Sequence, residues 1–592
     1  MTPPSEAHLG IAPIALELIL TIVAVLLPLG WPHLGSSFFA RIERIFAPLA
    51  RKRGLAVAFV GFSALLLRLA ILPVCPIPIP FVPDDFSFLL SADTFAHGRL
   101  TNPTPAMWTH FESIHISMQP TYMSMYFPAQ GLMLAAGKVL LGNFWYGQLI
   151  ATVLMCAAIC WMLQAWLPAT WAFLGGMLAV VHLGLFSYWI NTYHGASIAG
   201  LAGALVLGAL PRLIKTARPR YGVLLATGIA ILALSRPFEG VLLCLPVGAA
   251  LGHWALHGKN RPRPSVLFRR AAFPLLLIVA AVAWLGYYDY RAFGSPITLP
   301  YSVNRATYAM APYFVWQKQR PEPYYRHAVM RDYYYETEVK ISSKVSTVPS
   351  YLLQKSFMVA MSIQFFAGIA LLPPLIMLRR VFLDRRIRFL ILCVLVMTAG
   401  MAIQIFLVPH YLAPFTAAFY AIGLQAMRHL RFWSLGNKPT GLLLVRLSVM
   451  VCILMAGFRL YAGPLHLELP EYPPANWNVI WYGPDHFGTD RLRVESMLED
   501  LPGKQLAIVR YSSRHNPFNE WVYNSADIDG SKVIWAREMD GANNIELIQH
   551  YKDRKAWLVQ PDLDSAILSP YPFPEQTQTT RLDVLHSFTG HR

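Results

Sequence analysis

A chain of 592 residues could hold several soluble domains, but 55% of it is apolar and only 14% charged. Its uncharged runs reach the length of about 20 residues that a bilayer crossing requires. The formal net charge of +17 does not indicate nucleic acid, because the basic residues gather in short loops at 51–53, 212–220, 259–270, 379–388 and 428–431. Such clustering between apolar runs is the positive-inside pattern of cytoplasmic loops, so the charge is topological and nucleic-acid binding is set aside.

All six cysteines, Cys75, Cys156, Cys160, Cys244, Cys393 and Cys452, lie in or beside apolar runs. No disulfide framework or metal-ligand spacing is visible, and they read as small buried hydrophobes.

The first apolar run, 11–31, lacks a basic leader and a small-residue cleavage site, and reads as a retained helix rather than a signal peptide. Arg41, Arg44 and Arg51 to Arg53 place the next loop in the cytoplasm. A second helix over 55–74 then runs outward and ends in a breaker string of Pro73, Pro76, Pro78, Pro80 and Pro83. The acidic pair Asp84-Asp85 follows at once. Residues 75–128 form a first outer loop too polar to span. Within it, 86–97 reads as a short amphipathic helix with Asp84 or Asp85 as its N-cap. The apolar stretch 129–141 is too short to cross comfortably and reads as interfacial or re-entrant.

Further spans are expected over 144–166, 170–189, 196–210, 221–234, 240–256, 271–287, 357–378, 389–407, 412–427 and 442–461. That gives about twelve transmembrane helices with every arginine-rich loop inside. Outside lie the first loop, the turns 188–195, 235–240 and 408–414, the long loop 288–351, and a tail over 463–592. The tail reads as a small soluble α/β domain, with strands over 505–510, 532–535 and 556–559 and a helix over 544–551. The fold class is thus a multi-span α-helical membrane domain, 1–462, followed by an outer α/β domain.

Asp84 and Asp85 carry the chemical interest. A carboxylate at a wet membrane boundary suits a general base toward an acceptor hydroxyl; a plain helix N-cap is the competing reading. On the outer turns, Arg236 beside Glu239 is either a phosphate clamp or one half of an ion pair. Arg291 and Arg305 are similar cations in the next loop. Arg68, inside the second helix, reads as structural, snorkelling outward or pairing with an acidic residue such as Glu17. His110, Glu112 and His115 lack a zinc spacing. In the tail, Arg510, Tyr511, His515, Asn516, Glu520, Trp521, Asp527 and Asp529 form a polar and aromatic cluster, suited either to sugar recognition or to a solvated rim.

An outward helix, then Pro83-Asp84-Asp85-Phe86-Ser87-Phe88-Leu89-Leu90, then a long loop leading to Tyr126-Phe127-Pro128-Ala129-Gln130-Gly131-Leu132, resembles the GT-C superfamily of integral-membrane glycosyltransferases. More narrowly it is similar to the bacterial branch near the protein O-mannosyltransferases and the lipid A aminoarabinose transferases. The strings 235–240, 287–301 and 409–414 look like further landmarks. The resemblance implies a polyprenyl-phosphate-linked sugar donor, membrane lipid contact, and an acceptor glycan, lipid or protein. It implies Asp84 as the base and Asp85 as the second acidic residue. Relatives often carry a Lys near the Tyr126 string, where this chain has Met125 and Phe127. The donor phosphate is therefore expected on Arg236, Arg291, Arg305 and His410, with His194, Asn191, Tyr126, Glu239 and Tyr411 lining the cavity. No cofactor is expected, and a divalent metal is not favoured. The implied location is a bacterial inner membrane with the tail in the periplasm. A transporter or flippase of a lipid-linked sugar, or a glycan polymerase or ligase, are the other readings.

Overall fold

In the computed structural model, residues 12–435, 438–462, 486–563 and 567–572 are described. The rest of the expected tail, 463–485, 564–566 and 573–592, lies outside them. The chain is a helical membrane protein: among the described residues six helices are long and apolar enough to span, Arg53–Ala70, Trp145–Trp166, Ala196–Thr216, Pro237–His257, Pro264–Phe293 and Thr440–Tyr461. A seventh arises if Pro373–Leu383 and Arg388–Ile403, bent by 109°, count as one broken span. Shorter apolar helices, among them Ala169–Leu185 and Pro219–Ser235, occupy further expected spans. Proline sets several boundaries: Pro219, Pro237 and Pro264 each stand at a helix start, where the missing N–H costs nothing.

The Arg53–Ala70 helix delivers the chain to the acidic pair. Near its end Arg68 is fully buried. It does not reach Glu17. Its guanidinium donates to the carbonyls of Cys75 at 2.8 Å and Pro76 at 3.1 Å and to Asn191 Oδ1 at 2.9 Å, and lies 4.7 Å from the centre of the Trp145 ring. Glu17 is already engaged by the Ile369 and Ala370 amides at 2.9 and 3.2 Å. A prolyl stretch cannot supply its own hydrogen bonds, so a buried arginine satisfies its carbonyls and ties it to the Asn191 turn.

The expected amphipathic helix is Pro83–Ala96, and it is buried on nearly every side from Asp85 to Ala92. Its N-cap is Val82, with no side-chain capping bond. Pro83 starts the helix, so both aspartates fall inside the first turn with their side chains released for other partners. The Pro128–Leu141 helix packs against it. A Cβ on Gly131 would sit 2.1 Å from Ser91 Oγ. The same helix meets Trp145–Trp166 through two glycines: a Cβ on Gly137 would lie 2.1 Å from the Gly147 amide nitrogen. Backbone-to-backbone approach of this kind fixes the short helix against its neighbours.

Between these helices the first loop forms a small antiparallel sheet of β1 (Asn102–Pro103), β2 (Ile116–Ser117) and β3 (Thr121–Ser124), in the order β1-β3-β2. Ile116 pairs with Ser124 and Ser117 with Met123, which places His115 and Tyr126 together at one end of the ribbon.

The tail strands appear where expected: β4 (Lys504–Val509), β5 (Val533–Arg537) and β6 (Arg554–Gln560), with an added edge strand β7 (Ile567–Pro570). Their order is β5-β4-β6-β7, parallel except for β7. Helices His486–Asp500 and Gly541–His550 accompany them. This sheet shares its core with the first loop, since Leu506, Ile508 and Ile534 cluster with Leu90, Phe111 and Tyr122. Ser113 Oγ donates to the Val522 carbonyl at 2.5 Å, and the buried Arg537 reaches the Glu112 carbonyl and Glu520 Oε2 at 2.5 and 2.6 Å. The α/β unit therefore seats on the acidic loop rather than standing apart from it.

Candidate active site

The first turn of Pro83–Ala96 presents Asp84 to three donors from three separate segments. Oδ1 accepts hydrogen bonds from His115 Nδ1 and from the Tyr126 hydroxyl; Oδ2 faces His194 Nε2 at 3.2 Å. The side chain keeps 27% of its surface exposed, whereas those of His115 and His194 keep 8% and 9%. A part-exposed carboxylate ringed by buried donors is placed to receive a group from outside. Phe88, one helical turn on, stacks on Tyr126 at 4.3 Å and holds the phenol in place.

Asp85 turns inward. It is buried, accepts from the Tyr193 amide at 3.0 Å, and lies 3.4 Å from His194 Nδ1. His194 thus bridges the two aspartates, with Thr192 Oγ1 also 2.8 Å from Nδ1. Burial alone would pull its imidazole down, but hydrogen bonds and charge from Asp84 and Asp85 outweigh that and push its pKa up to about 9. Burial would likewise raise Asp84, yet the adjoining His115 and His194 hold it well below the usual carboxylate range. The resting site is an ionised Asp84 beside a protonated His194.

This arrangement has a measurable signature. A histidine whose folded pKa lies at about 9, against about 6.5 unfolded, lends stability that is complete below about 6.5. That contribution is lost as pH rises through the folded value. The melting temperature is expected to fall between roughly pH 7 and 9, and His194→Gln to flatten that fall. An unchanged slope in the variant would contradict a protonated His194.

Beyond His194 the turn Pro409–Phe415 brings in His410, whose ring centre is 5.4 Å from that of His194 and whose Nδ1 is 3.0 Å from the Tyr188 hydroxyl. Burial, then the cations Arg236 and His194, hold His410 well below the ordinary histidine range, so it is neutral. Next to it, the Tyr411 ring lies under the Arg236 guanidinium, with the centroid 4.8 Å away. Arg236 stands 3.8 Å from Glu239 Oε1, an ion pair without a hydrogen bond. Its planar fork is therefore largely unspent.

Asp84, Asp85, Tyr126, His194, His410, Tyr411, Arg236 and Glu239 form one continuous group. Asn191 lies at its edge, accepting from Arg68. Of the other expected phosphate cations, one lies apart from this group and the other borders it through Tyr313 but is already engaged. Arg291 is exposed on the Pro264–Phe293 helix with the Tyr287 hydroxyl at 3.2 Å, and no contact among the described residues joins it to Asp84. Arg305 is buried and held by Glu338 at 3.0 and 3.1 Å and by the Ala311 carbonyl at 2.9 Å. Its fork is spent on that pair.

Three contributors escaped the sequence reading: the link of His115 to Asp84, and Tyr333 and Lys355. Tyr333 lies within the aromatic string Tyr333-Tyr334-Tyr335, and Lys355 is a lone cation before an apolar run; those were the available signals. Lys355 Nζ donates to the carbonyls of Met401 and Ile405, both at 3.2 Å, and of Gln404. With Tyr351 it forms the polar end of an apolar cavity of about 400 Å3, walled by Val359, Met397, Leu412 and Phe419. Leu412 belongs to the same turn as His410, so cavity and cluster adjoin. Among the described residues no three His, Cys, Asp or Glu groups converge as metal ligands. His110 instead contacts the Arg537 carbonyl at 3.0 Å, and Glu112 accepts from Tyr308 at 3.0 Å. The tail cluster is spent internally as well, Tyr511 on Glu520 at 2.9 Å and His515 on Asp562 at 2.6 Å.

No known family profile matches the chain, and no curated protein matches it. Among solved structures, ArnT from Cupriavidus metallidurans bound to undecaprenyl phosphate is similar over 85% of this chain and 93% of its own, at 12% identity and a TM-score of 0.49. The oligosaccharyltransferase of Archaeoglobus fulgidus in its apo form is similar over 77% of this chain at 11% identity and a TM-score of 0.40; the match spans 62% of that protein's length. In complex with an inhibitory peptide and a dolichol-phosphate, the same archaeal protein, AglB, matches at 12% identity and a TM-score of 0.39. At 11–12% identity and TM-scores below 0.5 these are partial likenesses of shape, and they assign neither a family nor a role.

Proposed function

We propose that this chain is an integral-membrane glycosyltransferase that moves a sugar from a polyprenyl-phosphate donor to an acceptor hydroxyl, with inversion. The observation that carries the reading is the pairing of a part-exposed, ionised Asp84 with an underused Arg236 in one continuous group. A base and a phosphate-seeking cation at one membrane boundary are what displacement of a lipid phosphate by an alcohol requires.

Arg236, with neutral His410 beside it, holds the donor phosphate. The polyprenyl chain lies in the apolar cavity below the same turn, whose lining matches hydrocarbon. The acceptor hydroxyl takes the place of one donor on Asp84. As its oxygen bonds to the anomeric carbon, the bond to phosphate oxygen breaks, and the electron pair leaves with the lipid phosphate. A carboxylate held at low pKa accepts its proton late, once bond formation has made the attacking oxygen acidic. The phosphate dianion departs toward Arg236.

In this reading the chain crosses a bacterial inner membrane about twelve times, with shorter buried helices completing the count. Residues 1–462 form the catalytic domain, and the tail caps the site on the periplasmic side. Whether the sugar is a hexose or a pentose, the cavity and the cation serve the same lipid phosphate.

The test uses purified full-length protein in nanodiscs, radiolabelled polyprenyl-phosphate sugars of both classes, and a cell-envelope extract as acceptor. Label is expected to leave the lipid for a water- or envelope-soluble product with loss of free donor. Retention of all label on lipid, alongside saturable donor binding, would overturn the reading in favour of transport.

A further inference from the structure

His115 holds Asp84 while its own backbone is in the left-handed region, at φ +62°. A non-glycine residue there costs on the order of 1–3 kcal/mol and persists only where its surroundings over-determine it. The surroundings do so here. The His115 carbonyl accepts from Ser87 Oγ at 2.7 Å and from the Met125 amide at 3.1 Å, and its own amide faces the Tyr334 hydroxyl at 3.4 Å. The ring is fixed from the far side: with Nδ1 on the Asp84 carboxylate, Nε2 lies 3.0 Å from the Tyr333 hydroxyl.

The two tyrosines are consecutive, in a π-helical turn, Asp332–Val339. Such turns are rare and concentrate at functional sites, because the widened backbone re-aims its side chains. This turn is anchored by the bidentate pair between Arg305 and Glu338. From outside, Phe518 of the α/β unit packs edge-on against Tyr333 at 5.5 Å between ring centres.

We propose that Tyr333, backed by Phe518, is a positioning residue of the base: it acts through His115 and fixes the imidazole tautomer that donates to Asp84. A carboxylate needs an N–H from its histidine partner. The Tyr333 O–H donating to Nε2 keeps that hydrogen on Nδ1, because a ring nitrogen that accepts a hydrogen bond cannot also carry the proton. The long second loop and the tail thereby become parts of the reaction centre, with Arg305 serving as their anchor. The inference deepens the glycosyltransferase reading and rests on it.

A double-mutant cycle in the full-length protein tests it, with donor turnover as the readout. Tyr333→Phe is expected to lower kcat about tenfold or more with the donor KM unchanged. In a His115→Gln background the same substitution is expected to cost less than twofold, because the route through the imidazole is already gone. Phe518→Ala, which leaves the hydroxyl in place, is expected to give a smaller kcat loss that also vanishes in that background. Equal losses in both backgrounds would show a structural role and overturn the proposal, as would normal kcat in Tyr333→Phe. The parent reading fails separately, by full transfer in Asp84→Asn.

Discussion

Asp84→Asn is expected to lower sugar transfer by about 10³-fold while the protein stays folded and still binds donor. General-base contributions run from roughly 10² to 10⁴, and this site adds a second penalty to the loss of the base. All three partners of Asp84, His115 Nδ1, the Tyr126 hydroxyl and His194 Nε2, donate to it. An amide offers only one oxygen, so its NH2 group must face at least one of those donors. The carboxylate is the hub of the local geometry and, in the proposed reaction, the proton acceptor as well. Its neighbour separates the two roles. Asp85 is buried and committed to the Tyr193 amide and His194, so Asp85→Asn is expected to lower the melting temperature and to leave more residual turnover than Asp84→Asn. The comparison needs only melting curves and initial rates on the same preparations.

Arg236→Ala is expected to lower kcat/KM for the donor by about 100-fold, and Arg236→Lys to recover part of that loss. Charge-assisted bonds from a guanidinium are worth roughly 1.5–3 kcal/mol each. The phosphate gains negative charge as the sugar leaves, so kcat falls together with affinity. Glu239 supplies the control. If the arginine merely neutralised that buried carboxylate, then Arg236→Ala combined with Glu239→Gln would restore turnover, since no uncompensated charge would remain. No such rescue is expected in initial rates measured across donor concentrations.

The apolar helices were legible because their signals are local, although among the described residues only six or seven of the expected twelve are long enough to span by themselves. Apolar runs, arginine-rich loops and prolyl boundaries each act within about twenty residues, and the β4, β5 and β6 strands likewise announced themselves by composition. The acidic string was legible as well. What sequence could not give was the company Asp84 keeps. His115, Tyr126 and His194 come from three segments up to 110 positions away, and a register between β2 and β3 with helix contacts through Gly131 and Gly137 decides that they meet. Arg305 failed as a phosphate candidate for a related reason. Its partner Glu338 lies 33 positions on, and nothing in either segment marks the pair. Asp84 as an N-cap was a fair expectation from spacing; Pro83 defeated it by starting the helix two residues earlier, with Val82 as the N-cap. Arg68 was rightly structural but wrongly paired, because the carbonyls of a prolyl turn are invisible to a search for acidic partners.

The proposed role of Asp84 as the base for transfer from a lipid phosphate is decided by single-turnover release of polyprenyl phosphate in nanodiscs, wild type against Asp84→Asn, with donor binding measured in the same samples. Release is expected from the wild type, and release slowed by about 10³-fold from the variant at equal donor occupancy. Equal release from both proteins would contradict it.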